Sequence, residues 1–202
     1  MHGLSESIDP EFLLRRRLML SGEVSPHSPF PLDWSSAQEA VVLLALMRRA
    51  AGYTVLLTRR SENLPHHAGQ VSLPGGRVEA EDNGLIDTAL REAWEEVGLA
   101  ANRVEPLGHL GPFQTGTGFI VHTVLGIVTD PPMLTPDPRE VAAVFEVPLE
   151  IVLDATRYQQ HLVRRGEKTY PGVAIDFEEH RIWGATACIL RCLMDAMAPI
   201  KY

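Results

Sequence analysis

The 202-residue chain reads as an α/β protein, a mixed sheet with helices on either side. Three observations point there. A continuous apolar run from Val41 to Leu46 is followed by a turn and a β-rich return. An amphipathic helical period stops at Gly98. A second such period closes the chain near Met197.

Taken in order, residues 1–36 are expected to be an N-terminal arm. It holds a short possible helix at 10–20 and a Ser/Pro/His-rich stretch through Pro26, Pro29 and Pro31, which cannot continue a helix. Residues 37–198 are expected to form one domain. Its first strand, 37–50, is apolar enough to be covered on both faces, and residues 48–52 turn the chain into a returning strand at 53–58. A loop at 59–69 leads to an extended piece at 70–73 and the sharp turn Pro74-Gly75-Gly76. The helix that follows is expected to be capped by Asp87 or an earlier residue. Ile86, Ala89, Leu90, Ala93 and Val97 form its apolar face, and Gly98 ends it. Further strands are expected at 104–110, 119–128, 142–146 and 170–177, with a short helix at 149–154. The closing helix, 183–197, carries Ala185, Ile189, Leu193 and Met197 along one stripe.

With 45% hydrophobic and 22% charged residues, the composition fits one sizeable core, without repeats or low-complexity tracts. The formal charge of -8 argues against a polynucleotide partner, which clustered Lys and Arg would have to hold, but leaves room for a small anionic substrate. Cys188 and Cys192 lack partners at zinc-site spacing and read as reduced core residues. No apolar run reaches about 18 residues, so no membrane span is expected. Arg15-Arg16-Arg17 follows a short apolar patch, the reverse of signal-peptide order, so the expected location is cytoplasmic.

The chemistry concentrates on one helix. Glu92, Glu95 and Glu96 stand at i, i+3 and i+4, within one turn of one face. Their mutual repulsion costs about a few tenths of a kcal/mol per pair, and a divalent cation would relieve it. Hard carboxylate oxygens suit Mg²⁺ or Mn²⁺. Acidic helix faces are commonly just solvated. What distinguishes this one is the Gly-Gly turn before it and Arg91, placed to hydrogen-bond a carboxylate at i+4.

The stretch from Gly76 to Leu99, ending in Arg91-Glu92-Ala93-Trp94-Glu95-Glu96-Val97-Gly98-Leu99, resembles the Nudix box, G-x5-E-x7-R-E-U-x-E-E-x-G-U. The R-E-x-x-E-E-x-G core matches in full. The upstream acid falls on Asp82, with eight residues before Arg91, and the first aliphatic position is Ala93. Leu56-Leu57-Thr58-Arg59-Arg60-Ser61, Gly69 and Leu73-Pro74-Gly75-Gly76 are similar to the signature of the coenzyme A pyrophosphatase branch, with Pro65 and Leu73 in place of its Arg and Phe. Thr117-Gly118-Phe119, Glu140-Val141-Ala142, Phe145 to Leu149 and Arg181 to Gly184 also look like that branch.

The resemblance implies a Nudix fold, an α/β/α sandwich with a loop-helix-loop catalytic motif. It implies metal ligation by Gly76, Glu92, Glu95 and Glu96, with Arg91 orienting them and Glu92 or Glu140 taking a proton from water. Arg60, His66, His67 and Arg77 are candidate phosphate-binding groups. The implied activity is hydrolysis of coenzyme A or an acyl derivative to 3′,5′-ADP and a 4′-phosphopantetheine product. Action on ADP-ribose or a dinucleotide would use the same ligands. A Nudix-fold binding module usually lacks a box glutamate, whereas this chain keeps all three. A small nucleotide-diphosphate is therefore the expected partner, and a homodimer is compatible with the resemblance.

Overall fold

The first apolar run becomes β1 (Gln38–Arg49), and a tight turn returns the chain as β2 (Gly52–Arg60). In this computed structural model the described residues are 11, 12, 15, 16, 28, 30, 32–35, 37–165 and 167–198. Of the helix expected at 10–20, Glu11, Phe12, Arg15 and Arg16 are helical; the rest of it, with Pro26, Pro29 and Pro31, lies outside the described residues.

Two short strands, β3 (Val71–Ser72) and β4 (Gly75–Arg77), precede α1 (Leu85–Val97). Then come β5 (Glu105–Gln114), β6 (Phe119–Val128), β7 (Val141–Pro148) and the one-turn α2 (Leu149–Val152). The strands form one seven-stranded sheet ordered β3-β2-β1-β6-β5, with β4 beside β1 and β7 beside β2. The sheet is mixed: β1 and β6 run parallel, and the other pairs are antiparallel.

Strand alternation divides the core. Val41, Leu43, Ala45 and Met47 of β1 pack against Ala89, Ala93 and Val97 of α1. Leu44 and Leu46 face the opposite side, with Ile189, Leu190 and Leu193 of the last helix, α3 (Gly184–Met197). β1 is therefore covered on both faces, as its uninterrupted apolar run requires.

The helix α1 starts from the earlier of the expected positions. Its N-cap is Gly84, with no side-chain cap, while Asp87 lies in the first turn and accepts hydrogen bonds from the Asn83 backbone and side chain. The end is as expected. Gly98 adopts φ 69°, and the Gly98 and Leu99 amides donate to the Trp94 and Ala93 carbonyls.

The chain also forms a second sheet, β8 (Tyr158–Arg165), β9 (Lys168–Phe177) and β10 (His180–Trp183), of which the sequence pattern marks only the middle strand. The helix expected at 149–154 stops at Val152, and Asp154 instead caps a 3₁₀ turn at Ala155–Arg157 through the Thr156 amide. Among the described residues, no helix is long and apolar enough to cross a membrane.

Candidate active site

The Pro74-Gly75-Gly76 turn feeds β4 against β1 at close quarters, pairing Gly75 with Val42 and Gly76 with Val41. Both glycines are required, for different reasons. A Cβ on Gly75 would lie 2.2 Å from the Val41 carbonyl oxygen, and its φ of +156° is unsuited to a side chain. A Cβ on Gly76 would lie 2.3 Å from Glu92 Oε1. The second glycine therefore makes room for a carboxylate.

Glu96 is the most enclosed of the glutamates, 2% exposed. The Gly75 amide donates to its Oε2 at 3.4 Å, and Arg60 Nη1 stands 3.7 Å from its Oε1. Burial pushes its pKa up to about 8, against the opposing pull of Arg60 and with the negative charges of Glu92 and Glu140 adding to the rise. Glu92 accepts a hydrogen bond from Arg91 Nη1 at 2.9 Å, yet its pKa is also raised, because desolvation outweighs the guanidinium. Glu140 raises it further. Glu95 is half exposed and accepts from Arg91 Nη1 at 3.1 Å.

Glu140 reaches this cluster through two devices. The loop before β7 is bolted to the end of α1, where the Thr135 and Asp137 amides donate to the otherwise unpaired carbonyls of Val97 and Glu96, both at 2.9 Å. In β7, Arg59 pairs with Ala143 but Arg60 with Val141, so Ala142 is an extra residue in a bulge. The bulge resets the alternation. Val144 and Val141 both reach the α1 core, and the Glu140 carbonyl accepts the Ser61 amide at 2.7 Å.

Arg91 is the organiser, as its position implied, but its main partner is one that helical spacing does not indicate. Its Nε and Nη2 donate to Asp82 Oδ1 and Oδ2 at 2.9 and 3.0 Å, and Nη2 also donates to the Arg77 carbonyl. Asp82, further held by Thr88 Oγ1 and the Glu79 amide, has its carboxyl held well below the usual range by Arg91. The signal is present in the sequence as the box acid displaced by one residue.

The candidate phosphate-binding groups divide. Arg60 joins the glutamates. Arg77, adjacent to Gly76 and so on the reverse side of β4, lies over the Phe119 ring at 5.4 Å, with the core beneath α3. His66 and His67 are exposed on the loop after β2, where His67 takes φ 58° and pairs with Gln70 Oε1 through Nδ1 at 2.9 Å. The structure gives neither histidine a contact with the glutamates.

The donor set fits a hard divalent cation. Burial raises the pKa of both Glu92 and Glu96, and the charges of Glu95 and Glu140 on Glu92, and of Glu92 and Glu140 on Glu96, add to the rise. Among the described residues no group of three or more His, Cys, Asp or Glu side chains is placed to hold a metal ion by itself. Mg²⁺ is commonly held by one or two carboxylates together with waters and substrate phosphates.

Residues 37–166 match the NUDIX domain. An uncharacterized Nudix hydrolase, NudL, of Yersinia enterocolitica is 41% identical over 166 residues, covering 82% of this chain and 85% of its own. Its namesake in Photorhabdus laumondii is 39% identical over 183 residues, 91% and 94% of the two chains. The crystal structure of RenU, a Nudix hydrolase of M. smegmatis, aligns at a TM-score of 0.48 and 24% identity, over 64% of this chain and 81% of that one. A domain match over more than half of the chain, with relatives aligned along most of its length, assigns it: the chain belongs to the Nudix family, as a hydrolase of nucleoside diphosphate derivatives.

Proposed function

We propose that this enzyme hydrolyses the diphosphate linkage of coenzyme A or its acyl derivatives to 3′,5′-ADP and 4′-phosphopantetheine. Nudix hydrolases generally use divalent ions, and here Mg²⁺ or Mn²⁺ would be held by the Gly76 carbonyl, Glu92, Glu96 and the more exposed Glu95. The observation that carries the hydrolase chemistry is Glu96, buried at the Gly75 amide with its pKa raised, beside Glu92 and Glu140. A buried carboxylate with so little compensation destabilises the fold on its own and makes sense as a ligand.

When bound, the ion supplies charge neutralisation at the phosphoryl oxygens and a lowered pKa for the attacking water. The chain supplies the rest. Arg91, anchored by Asp82, fixes the Glu92 and Glu95 carboxylates. Glu92 or Glu140 accepts the proton of the water. Arg60 provides a guanidinium for the diphosphate oxygens.

The coenzyme A part is supported by the branch signature around the site. Its Arg60 faces Glu96, its Ser61 amide holds the Glu140 carbonyl, and its Gly75 and Gly76 receive Glu96 and Glu92. Turnover of coenzyme A, dephospho-coenzyme A, ADP-ribose and a diadenosine polyphosphate, each with Mg²⁺ and with chelator, tests it. Coenzyme A should be fastest. Loss of the 3′-phosphate should cost about 10- to 150-fold, the worth of one charge-assisted hydrogen bond. Faster turnover of ADP-ribose or the dinucleotide would move the substrate to that class. Binding without turnover of any of them would make the chain a binding module.

A further inference from the structure

Arg60 holds a charge at the centre of the site and uses little of its bonding capacity. Its Nη1 approaches Glu96 Oε1 only to 3.7 Å, longer than a hydrogen bond. Its Nε is buried and has no hydrogen-bond partner among the described residues. A guanidinium has five N–H donors in a planar fork, and a site built to hold it on Glu96 would bring that fork to the carboxylate in parallel. The α1 face of β2 carries it there, since Leu56 packs into the α1 core and Arg60 pairs with Val141 of that same core. Among the described residues Arg60 is the one ion-pair partner of Glu96.

We propose that Arg60 is a stand-in cation. In the metal-free enzyme it partly neutralises Glu96. When a divalent ion takes that carboxylate, the guanidinium is released and turns its fork to the substrate diphosphate, so that metal binding prepares the phosphate grip. This rests on the reading of Glu96 as a metal ligand. Two cations compete for one carboxylate and repel each other at short range, whereas a diphosphate between them attracts both. The pairing with Glu96 is long and loose. The pairing with a phosphate that replaces it is charge-assisted on both sides and capable of bidentate geometry. The quarter-exposed side chain has solvent to turn into.

Arg60→Gln and Arg60→Lys, each in the full chain, separate this role from a supporting one. Mn²⁺ binding is measured by electron paramagnetic resonance on the substrate-free protein, and KM separately by steady-state kinetics. Arg60→Gln should bind Mn²⁺ about three- to tenfold more tightly, because a competing positive charge is gone, while KM rises at least about tenfold. Arg60→Lys keeps the charge but not the fork, so its Mn²⁺ affinity should stay near wild type while KM still rises. A residue that merely braces Glu96 would weaken Mn²⁺ binding when removed. Unchanged or weaker Mn²⁺ binding by Arg60→Gln, with the wild type binding normally, overturns the stand-in role and leaves the metal site intact. Failure of the wild type to bind Mn²⁺ overturns both.

Discussion

Arg91 and Asp82 meet as a fork and a carboxylate, two parallel hydrogen bonds of 2.9 and 3.0 Å, and this pair sets the direction in which Arg91 offers Nη1 to Glu92 and Glu95. Asp82→Asn should therefore act at a distance, lowering kcat by about 10- to 100-fold as expected for a group that orients ligands. Asp82→Glu should recover part of the loss. A kcat for Asp82→Asn equal to wild type would show that Arg91 needs no anchor.

The same pair predicts a pH dependence. The Asp82 carboxyl is held below its ordinary range by Arg91, so its contribution to stability is present above the unfolded value of about 3.9 and is lost as pH falls towards the folded value. Melting curves of wild type and Asp82→Asn should keep a constant separation from pH 7 to about pH 4 and begin to approach each other only as pH falls from about 4 to 3. Parallel curves throughout would rule this out.

Glu96→Gln should move stability and activity in opposite directions. Removing a desolvated charge relieves the metal-free protein, and each kcal/mol relieved raises the melting temperature by about 2–4 °C in a chain of this size. With the ligand gone, kcat should fall at least about a hundredfold, and added Mg²⁺ should no longer raise the melting temperature. Glu95→Gln, at a half-exposed carboxylate tied to Arg91, should cost less than Glu96→Gln. A lower melting temperature for metal-free Glu96→Gln would contradict the burial argument.

The adjacent glycines should separate fold from function. In Gly75→Ala the new methyl meets the Val41 carbonyl and the Val42 backbone, which cannot move aside, so stability should drop by about 1–3 kcal/mol or more. In Gly76→Ala its three nearest neighbours are all atoms of the Glu92 carboxyl group, the far end of a flexible side chain. That variant should melt close to wild type and lose most of its turnover. Denaturant unfolding and kcat, measured on both, decide the matter.

Elements with an unbroken apolar pattern are legible in the sequence. β1, the box helix with its Gly98 stop and the closing helix are found within a residue or two of their expected bounds. β8 is not, because Tyr-Gln-Gln-His-Leu-Val-Arg-Arg has no clean alternation, and as the edge of a small sheet it needs little. β5 is visible only to Leu110, since Gly111 and Pro112 interrupt its pattern where the pairing with β6 shifts register. At the site, helical spacing is enough to group Glu92, Glu95 and Glu96, and the branch signature marks Arg60 and Glu140. It does not reveal that strand alternation sends Arg77 to the reverse side, or that Ala142 is the residue that resets β7. Both depend on pairing register, which a single strand's sequence does not encode.

Because α1 is core on one flank and chemistry on the next, it has little surface left on which substitutions are free to accumulate. Thr88, Ala89, Ala93 and Val97 are fully buried, Glu96 nearly so, and Arg91, Glu92 and Glu95 are bound to one another. Only Asp87, Trp94 and Ile86, which the sequence pattern places on the apolar face but which is exposed, escape both demands. Saturation mutagenesis of the helix under selection for turnover should return variants almost entirely at those three positions. Lineages of this enzyme would then diverge in the loops around the helix long before they diverge along it.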